Sequence, residues 1–384
     1  MRKSVFRIQI LPSILLCVAL ISSCSKIPGS ITVINSVTGE EKKAGVEEQQ
    51  KLEAYADDSG SIPLERLFHY FGYQVIKQVS FINSNGSAYN HSWKEIASGT
   101  KWLVDGSILL NHESIHPDKI NIEPDQQANS MEFSILDLAP TILFSLSNPA
   151  LPESRDPILD SPEAAHVVMV ILDAFGYLDV QKSQQQGLIS NLLELSKPKM
   201  GLSVYPPITN VVTAALITGV EPETNGVDQS GKRSTRTATI FDQLRSKQKQ
   251  FTVIEGNSLY LANLKAEDLV LSTDDNHSGT NDDEVFQNAI NKIRRGMHDF
   301  LWVHFHGIDD TGHTYGPWSL EYVQRVQAID GYIKQIVDAC PANTLFLITA
   351  DHGMHTGSEG QRNGEHGNLI AEDMFIPLFI YLKP

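Results

Sequence analysis

Cysteine is nearly absent from this 384-residue chain, which has three. Cys17 and Cys24 fall within the first residues, so only Cys340 remains for the body of the chain. That excludes an intrachain disulfide framework, and a lone cysteine of this kind reads as a small buried hydrophobe rather than a nucleophile. Basic residues are also in deficit, with 30 Lys and Arg against 46 Asp and Glu and a formal charge of −16. Binding to a nucleic-acid polymer or to an anionic membrane surface is excluded on that ground, because phosphate affinity there rests on clustered Lys and Arg. A comfortable membrane span is missing too: the apolar run from Ile8 to Ile21 is short and is broken by Gln9 and Pro12. What is present is 41% apolar residues, ample for a packed core, in a length that suggests about two domains.

Arg2, Lys3 and Arg7 precede that apolar run, which is the arrangement of a secretory signal. It closes with Ile21-Ser22-Ser23-Cys24, which resembles a bacterial lipobox. The resemblance implies a signal peptide over residues 1–23, a lipid on Cys24, and an exported protein tethered at the periplasmic or other extracytoplasmic face of the envelope. Residues 24–60 are polar and poor in aromatics, with Glu40, Glu41, Lys42, Lys43 and the run Glu47-Glu48-Gln49-Gln50, and we read them as a spacer. The stretch 61–130 predicts a small α+β accessory domain. Leu64, Leu67, Phe68 and Phe71 have helical spacing with a stop at Gly72, whereas Asn85-Gly86 and Asp105-Gly106 sit between β-prone runs as hairpin turns. His69, His91, His112 and His116 show no paired metal spacing, and this domain carries no chemistry of its own.

From residue 131 to 384 the expectation is an α/β domain with a mostly parallel sheet sandwiched by helices. "HVVMVIL", "FTVIEG", "DFLWVHF" and "TLFLITA" are continuous apolar runs separated by helix-compatible sequence, the pattern of strands buried on both faces. Ligands gather at the carboxyl ends of such strands, so the residues just after each run matter most. Asp173 follows the first run, Asp309 stands shortly after "WVHF", and Asp351-His352 follow the last. A single aspartate in such a place is usually a cap or a turn. The joint pattern is harder to dismiss, because His313 lies four residues after Asp309 and "GEHGN" adds His366. Aspartate oxygens and imidazole nitrogens suit zinc, and two such metals would clamp the oxygens of an in-line displacement at phosphorus.

"ILDAFG", "YPPITNVVTAALITGVEPETNGV", "DDTGHTYGP", "TADHGM" and "GEHG" resemble, in order and spacing, the alkaline phosphatase superfamily. The branch they most resemble is that of nucleotide pyrophosphatases/phosphodiesterases and phosphonoacetate hydrolases. The resemblance implies that Thr209, leading a helix, is the nucleophile that forms a covalent phosphothreonine. It places Asp309, His313 and His366 on one zinc, and Asp173, Asp351, His352 and Thr209 on the other, with other divalent metals compatible. Asn210 would donate a hydrogen bond to a nonbridging phosphoryl oxygen, as in phosphonoacetate hydrolases. The pyrophosphatase branch has its asparagine two positions later, where this chain has Val212. The implied substrate is a small phosphorylated molecule, first a phosphodiester, with phosphonates and phosphomonoesters as alternatives.

His304 and His306 are expected to be structural, Asp310 competes with Asp309 and loses on spacing to His313, Thr213 lies in the helix body, and His355 is expected near the substrate. "FSILDLAPTILFSLSNPALPE", residues 133–153, resembles the segment that usually closes this catalytic domain, so the stretch 131–155 predicts a permuted helix around Asp137 to Leu146. Sulfatases are set aside because Thr209-Asn210-Val211 offers no Cys/Ser-x-Pro-x-Arg context. Phosphomutases are set aside because an exported lipoprotein has little use for one. Phosphoethanolamine transferases also use threonine but carry membrane helices that this chain lacks. A non-catalytic surface binding lipoprotein would have no reason to keep a complete ligand set. Oligomeric state is not legible in the sequence.

Overall fold

The computed structural model describes residues 30–103, 105–160, 164–256, 264–358, 360 and 362–384. The signal peptide and Cys24 lie outside the described residues. Among the described residues no helix is long and apolar enough to cross a membrane.

An eight-stranded sheet runs in the order Phe133–Ser134, Lys199–Leu202, Phe375–Leu382, Thr344–Thr349, His166–Leu172, Phe300–Phe305, Phe251–Glu255, Leu269–Leu271. His166–Leu172 pairs in parallel with Phe300–Phe305 on one side and Thr344–Thr349 on the other, so Val168 lies between Leu301 and Phe346. Phe300–Phe305 and Thr344–Thr349 are buried throughout, and only His166 of the central strand is not. Burial on both faces is why these strands read as unbroken apolar runs instead of alternating ones. The sheet is mixed, because Phe375–Leu382 runs antiparallel to both of its neighbours. Four adjacent parallel strands therefore end at one edge, where Asp173, Glu255, His306 and Asp351 emerge.

Residues 138–145 form the helix expected around Asp137 to Leu146. It packs against the helices Thr209–Thr218 and Ile240–Ser246. The short strand Phe133–Ser134 just before it pairs with Lys199–Leu202, which brings this stretch into the large sheet.

The expected spacer needs correction. Ile31–Asn35 is an inner strand of a five-stranded sheet, between Glu41–Ala44 and Lys119–Pro124, and Val46–Leu52 is helical. The charges of residues 40–50 misled because they lie on an edge strand and on the outer face of that helix, while Ile31, Val33, Ala44 and Leu52 are buried beneath. The hairpins at Asn85-Gly86 and Asp105-Gly106 are present, with Gly86 and Gly106 in the left-handed region that such turns require.

The accessory core is continuous with the large-sheet unit through Leu202, Tyr205, Leu369, Ile370, Met374 and Phe375. Two residues of the helix Leu64–Tyr70 hold this junction. Glu65 accepts hydrogen bonds from Leu369 N at 2.9 Å and from Trp93 Nε1 at 3.1 Å. The Arg66 guanidinium lies between the rings of Tyr55 and Tyr205, at 4.2 and 4.8 Å, and donates to Asp228 O at 2.9 Å.

Burial pushes the Glu65 carboxyl up from 4.5 to about 7. The folded state therefore keeps a proton that the unfolded chain has lost, and the stability this confers is full below about pH 4.5 and is lost as pH rises toward 7. Urea denaturation between these values should show that slope in the wild type and a flatter one in Glu65→Gln. Parallel slopes would place the titration elsewhere. Glu65→Ala should cost about 1–3 kcal/mol, because Leu369 N and Trp93 Nε1 lose their acceptor.

Candidate active site

The expected ligands arrive from separate elements. Asp173 directly follows strand His166–Leu172, and Asp351 and His352 follow Thr344–Thr349. Asp309 and His313 lie one turn apart on the helix Gly307–Tyr315, so both project from one face. His366 stands just after the two-residue strand Gly364–Glu365. Thr209 opens the helix Thr209–Thr218.

These residues form two triads. Asp309 Oδ2 is 3.3 Å from His313 Nε2, and its Oδ1 is 3.5 Å from His366 Nε2. In the second triad His352 Nε2 is 3.4 Å from both Asp173 Oδ1 and Asp351 Oδ2. The triads abut where the rings of His352 and His366 stack with centroids 3.9 Å apart. Thr209 Oγ1 is 3.4 Å from His352 Nε2. A tetrahedron with metal bonds of about 2.0–2.1 Å has edges of about 3.4 Å, so these separations match those between ligands of one ion.

Hydrogen bonding tests whether a cation fits. His313 Nδ1 donates to Gly364 O at 2.7 Å, His352 Nδ1 to Gly353 O at 3.0 Å, and His366 Nδ1 to Pro207 O at 3.0 Å. A carbonyl can only accept, so in each neutral ring the Nε2 lone pair faces the carboxylates. Asp173 Oδ1, Asp309 Oδ1 and Asp351 Oδ2 are buried and have no hydrogen-bond donor. Lone pairs facing carboxylate oxygens at these distances repel unless a cation stands between them, and the site fits divalent metal on that ground. Burial and the nearby His352 hold His366 down at about 3, whereas the facing carboxylates, against burial, raise His313 and His352 above the ordinary imidazole value. Burial and the Asp173 charge push Asp351 up to about 6.

Backbone geometry sets the two aspartate turns. Ala174 lies in the left-handed region at φ +60°, unusual for a residue with a side chain, and its N–H donates to Asp351 Oδ1 at 3.3 Å. Gly353 allows the Asp351-His352 turn to lie on the chain at Glu372, whose carbonyl oxygen would be 2.0 Å from any Cβ there.

Asn210 departs from its expected role. Its two amide hydrogens go to Gln229 O at 3.0 Å and Lys232 O at 2.8 Å, so none is left for a phosphoryl oxygen. The side chain instead ties the turn at Thr209 to the loop at residues 229–232. Asp309 joins the first triad and Asp310 joins neither. His355 is buried and bonded through Nδ1 to Asp373 Oδ1 at 2.8 Å. Thr213 is buried in the helix body.

His304 and His306, expected to be structural, gather with Asp173 into a third Asp/His cluster, against Glu255. Strand alternation sends positions 304 and 306 to the same side, which was the available signal. Glu255 likewise ends an apolar run, and the rule that selected Asp173 selects it as well.

Residues 240–362 match the sequence model of the Metalloenzyme superfamily. Curated relatives include GPI ethanolamine phosphate transferase 3 of Eremothecium gossypii, 44% identical over 86 residues, or 22% of this chain and 8% of that protein. The catalytic subunit of human GPI ethanolamine phosphate transferase 3 is 30% identical over 102 residues, 27% of this chain and 9% of that protein. The matched stretch thus spans under a tenth of these relatives. Among solved structures, murine ectonucleotide pyrophosphatase/phosphodiesterase 5 is 14% identical, with a TM-score of 0.46 over 56% of this chain and 88% of that one. Phosphonoacetate hydrolase of Sinorhizobium meliloti is 17% identical, with a TM-score of 0.41 over 52% of this chain and 59% of that one.

Counting bound zinc by mass spectrometry should show that His313→Ala and Asp351→Asn each lower the metal content per chain, whereas Thr209→Ala does not. Unchanged content in both ligand variants would refute the two triads as metal sites.

Proposed function

We propose that this chain is a phosphodiester hydrolase that works through a covalent phosphothreonine on Thr209, with a divalent metal, zinc first, in each triad. The observation that carries the reading is Thr209 Oγ1 beside His352 Nε2, at the start of a helix and where the two triads abut. Metal ions held there would supply Lewis acidity to a coordinated hydroxyl and to the phosphoryl oxygens. Asp309, His313 and His366 would hold one of them, and Asp173, Asp351 and His352 the other.

The remaining steps belong to the chain itself. Burial positions Thr209 Oγ1 before substrate arrives, and the positive end of the helix it opens favours the negative charge of a phosphoryl group. Thr209 Oγ1 loses its proton and attacks phosphorus, the P–O bond to the leaving group breaks, and the departing alkoxide takes up a proton. Water then attacks the same phosphorus, the P–Oγ1 bond breaks, a proton from water restores the Thr209 hydroxyl, and a phosphomonoester leaves. Asn210 acts at one remove, by fixing residues 229–232 beside the nucleophile.

A second reading is transfer of phosphoethanolamine to an alcohol, favoured by the 44% identical stretch shared with a GPI ethanolamine phosphate transferase. The covalent step is common to both, and only the acceptor in the second half differs. Membrane helices in other transferases do not bear on that chemistry.

Thr209→Ala should lower turnover of bis-p-nitrophenyl phosphate by roughly 10³-fold or more, about 4 kcal/mol of barrier, with metal retained. Thr209→Ser should keep measurable activity, and a labelled diester should leave its label on residue 209. Near-normal turnover in Thr209→Ala would refute the covalent mechanism. Label discharged by an added alcohol in preference to water would select the transferase reading.

We further propose that Cys24 carries a lipid that holds the protein to the extracytoplasmic face of a membrane, a reading supported by Ile21-Ser22-Ser23-Cys24 and the charged, apolar leader before it. Cys24→Ser should release the protein into the soluble fraction with turnover unchanged. Continued membrane retention would count against it.

A further inference from the structure

We propose that Asp173, His304 and His306 form a third metal site, with Asp173 as a carboxylate shared between it and the Asp351–His352 triad. Only the sharing rests on the function proposed above; the site itself stands on its own geometry.

The two oxygens of Asp173 face opposite ways. Oδ1 is 3.4 Å from His352 Nε2, whereas Oδ2 is 2.9 Å from His306 Nδ1 and 3.5 Å from His304 Nε2. His304 and His306, two residues apart at the end of strand Phe300–Phe305, lie on one side of it with ring centroids 3.9 Å apart. Asp173, His304 and His306 are almost wholly buried.

The second observation is Glu255, which touches each ring on the nitrogen that faces away from Asp173. His304 Nδ1 is 3.1 Å from Glu255 Oε2, and His306 Nε2 is 2.9 Å from the same oxygen. Glu255 is held in turn by Trp302 Nε1, which donates to its Oε1 at 3.0 Å. A carboxylate that accepts the outer N–H of a histidine fixes its tautomer and turns the other nitrogen's lone pair inward, which is how metal-bound histidines are oriented. Here one carboxylate orients two rings at once. Asp282 Oδ1 adds rigidity by accepting from His306 N and Gly307 N at 3.0 and 3.1 Å.

Charge points the same way. Asp173, Glu255 and Asp351 crowd into one nearly dry region with the partly buried Asp309 beside them, and a third cation helps to offset their charge. Two imidazoles and a carboxylate select zinc, manganese or cobalt over magnesium or calcium. The competing arrangement has protons in place of the metal, making His304 and His306 ion-paired imidazolium groups between Asp173 and Glu255.

Metal counting separates the two. The full chain is stripped with chelator, reloaded with Zn²⁺ or Co²⁺, dialysed and measured by mass spectrometry. The wild type should bind three ions per chain and His306→Ala two, while Glu255→Gln should weaken one binding step by about 10–100-fold. His306→Gln, which can still reach Glu255, should also bind two and covers the case in which the alanine variant fails to fold. Two ions in the wild type and two in His306→Gln would overturn the third site and leave the two triads standing. Loss of an ion in His306→Gln but none in His313→Ala would uphold this site and refute the first triad.

Discussion

Imidazole lone pairs aimed at buried carboxylate oxygens are the constraint on which the half of this protein built on the large sheet depends. Backbone carbonyls at Pro207, Gly353 and Gly364 each claim the Nδ1–H of one histidine, and that choice leaves the Nε2 atoms of His352 and His366 facing oxygens that have no donor and that of His313 facing Asp309 Oδ2. Such an arrangement is unfavourable in an empty protein and favourable around cations, so a metal bound here would be coupled to the folding of this edge. The left-handed Ala174 and the glycine at 353 belong to the same constraint, since both let the aspartate turns close on one another.

The accessory unit is tied to the turn at Thr209 by specific contacts. Arg66 lies on the ring of Tyr205, four residues before Thr209, and donates to Asp228, which opens the loop that Asn210 grips from the other side. Tyr55 adds a hydrogen bond to Asp228 Oδ2 at 3.0 Å, and Lys232 Nζ meets Asp228 Oδ1 at 2.5 Å. The loop next to Thr209 is therefore held from both sides. This gives the accessory unit a physical part in shaping the candidate site although it supplies none of the residues of the two triads.

The sequence by itself determined the parallel strands, because burial on both faces writes them as unbroken apolar runs, and it determined the candidate ligands, because the ends of parallel strands must share an edge. Asp309 and His313 were legible as a pair from helical spacing alone. The strand Ile31–Asn35 was not, since its partner Lys119–Pro124 is distant in sequence and its neighbours carry the charges of an edge. Tertiary structure alone decided the direction of each polar side chain. Asn210 could have faced a substrate, but the loop carbonyls at Gln229 and Lys232 lie within reach of both its hydrogens. His304 and His306 could have been ordinary core histidines, but Glu255 on the neighbouring strand turns both rings toward Asp173. Spacing fixes which face of an element a residue occupies; only the atoms packed against it fix where its donors and lone pairs point.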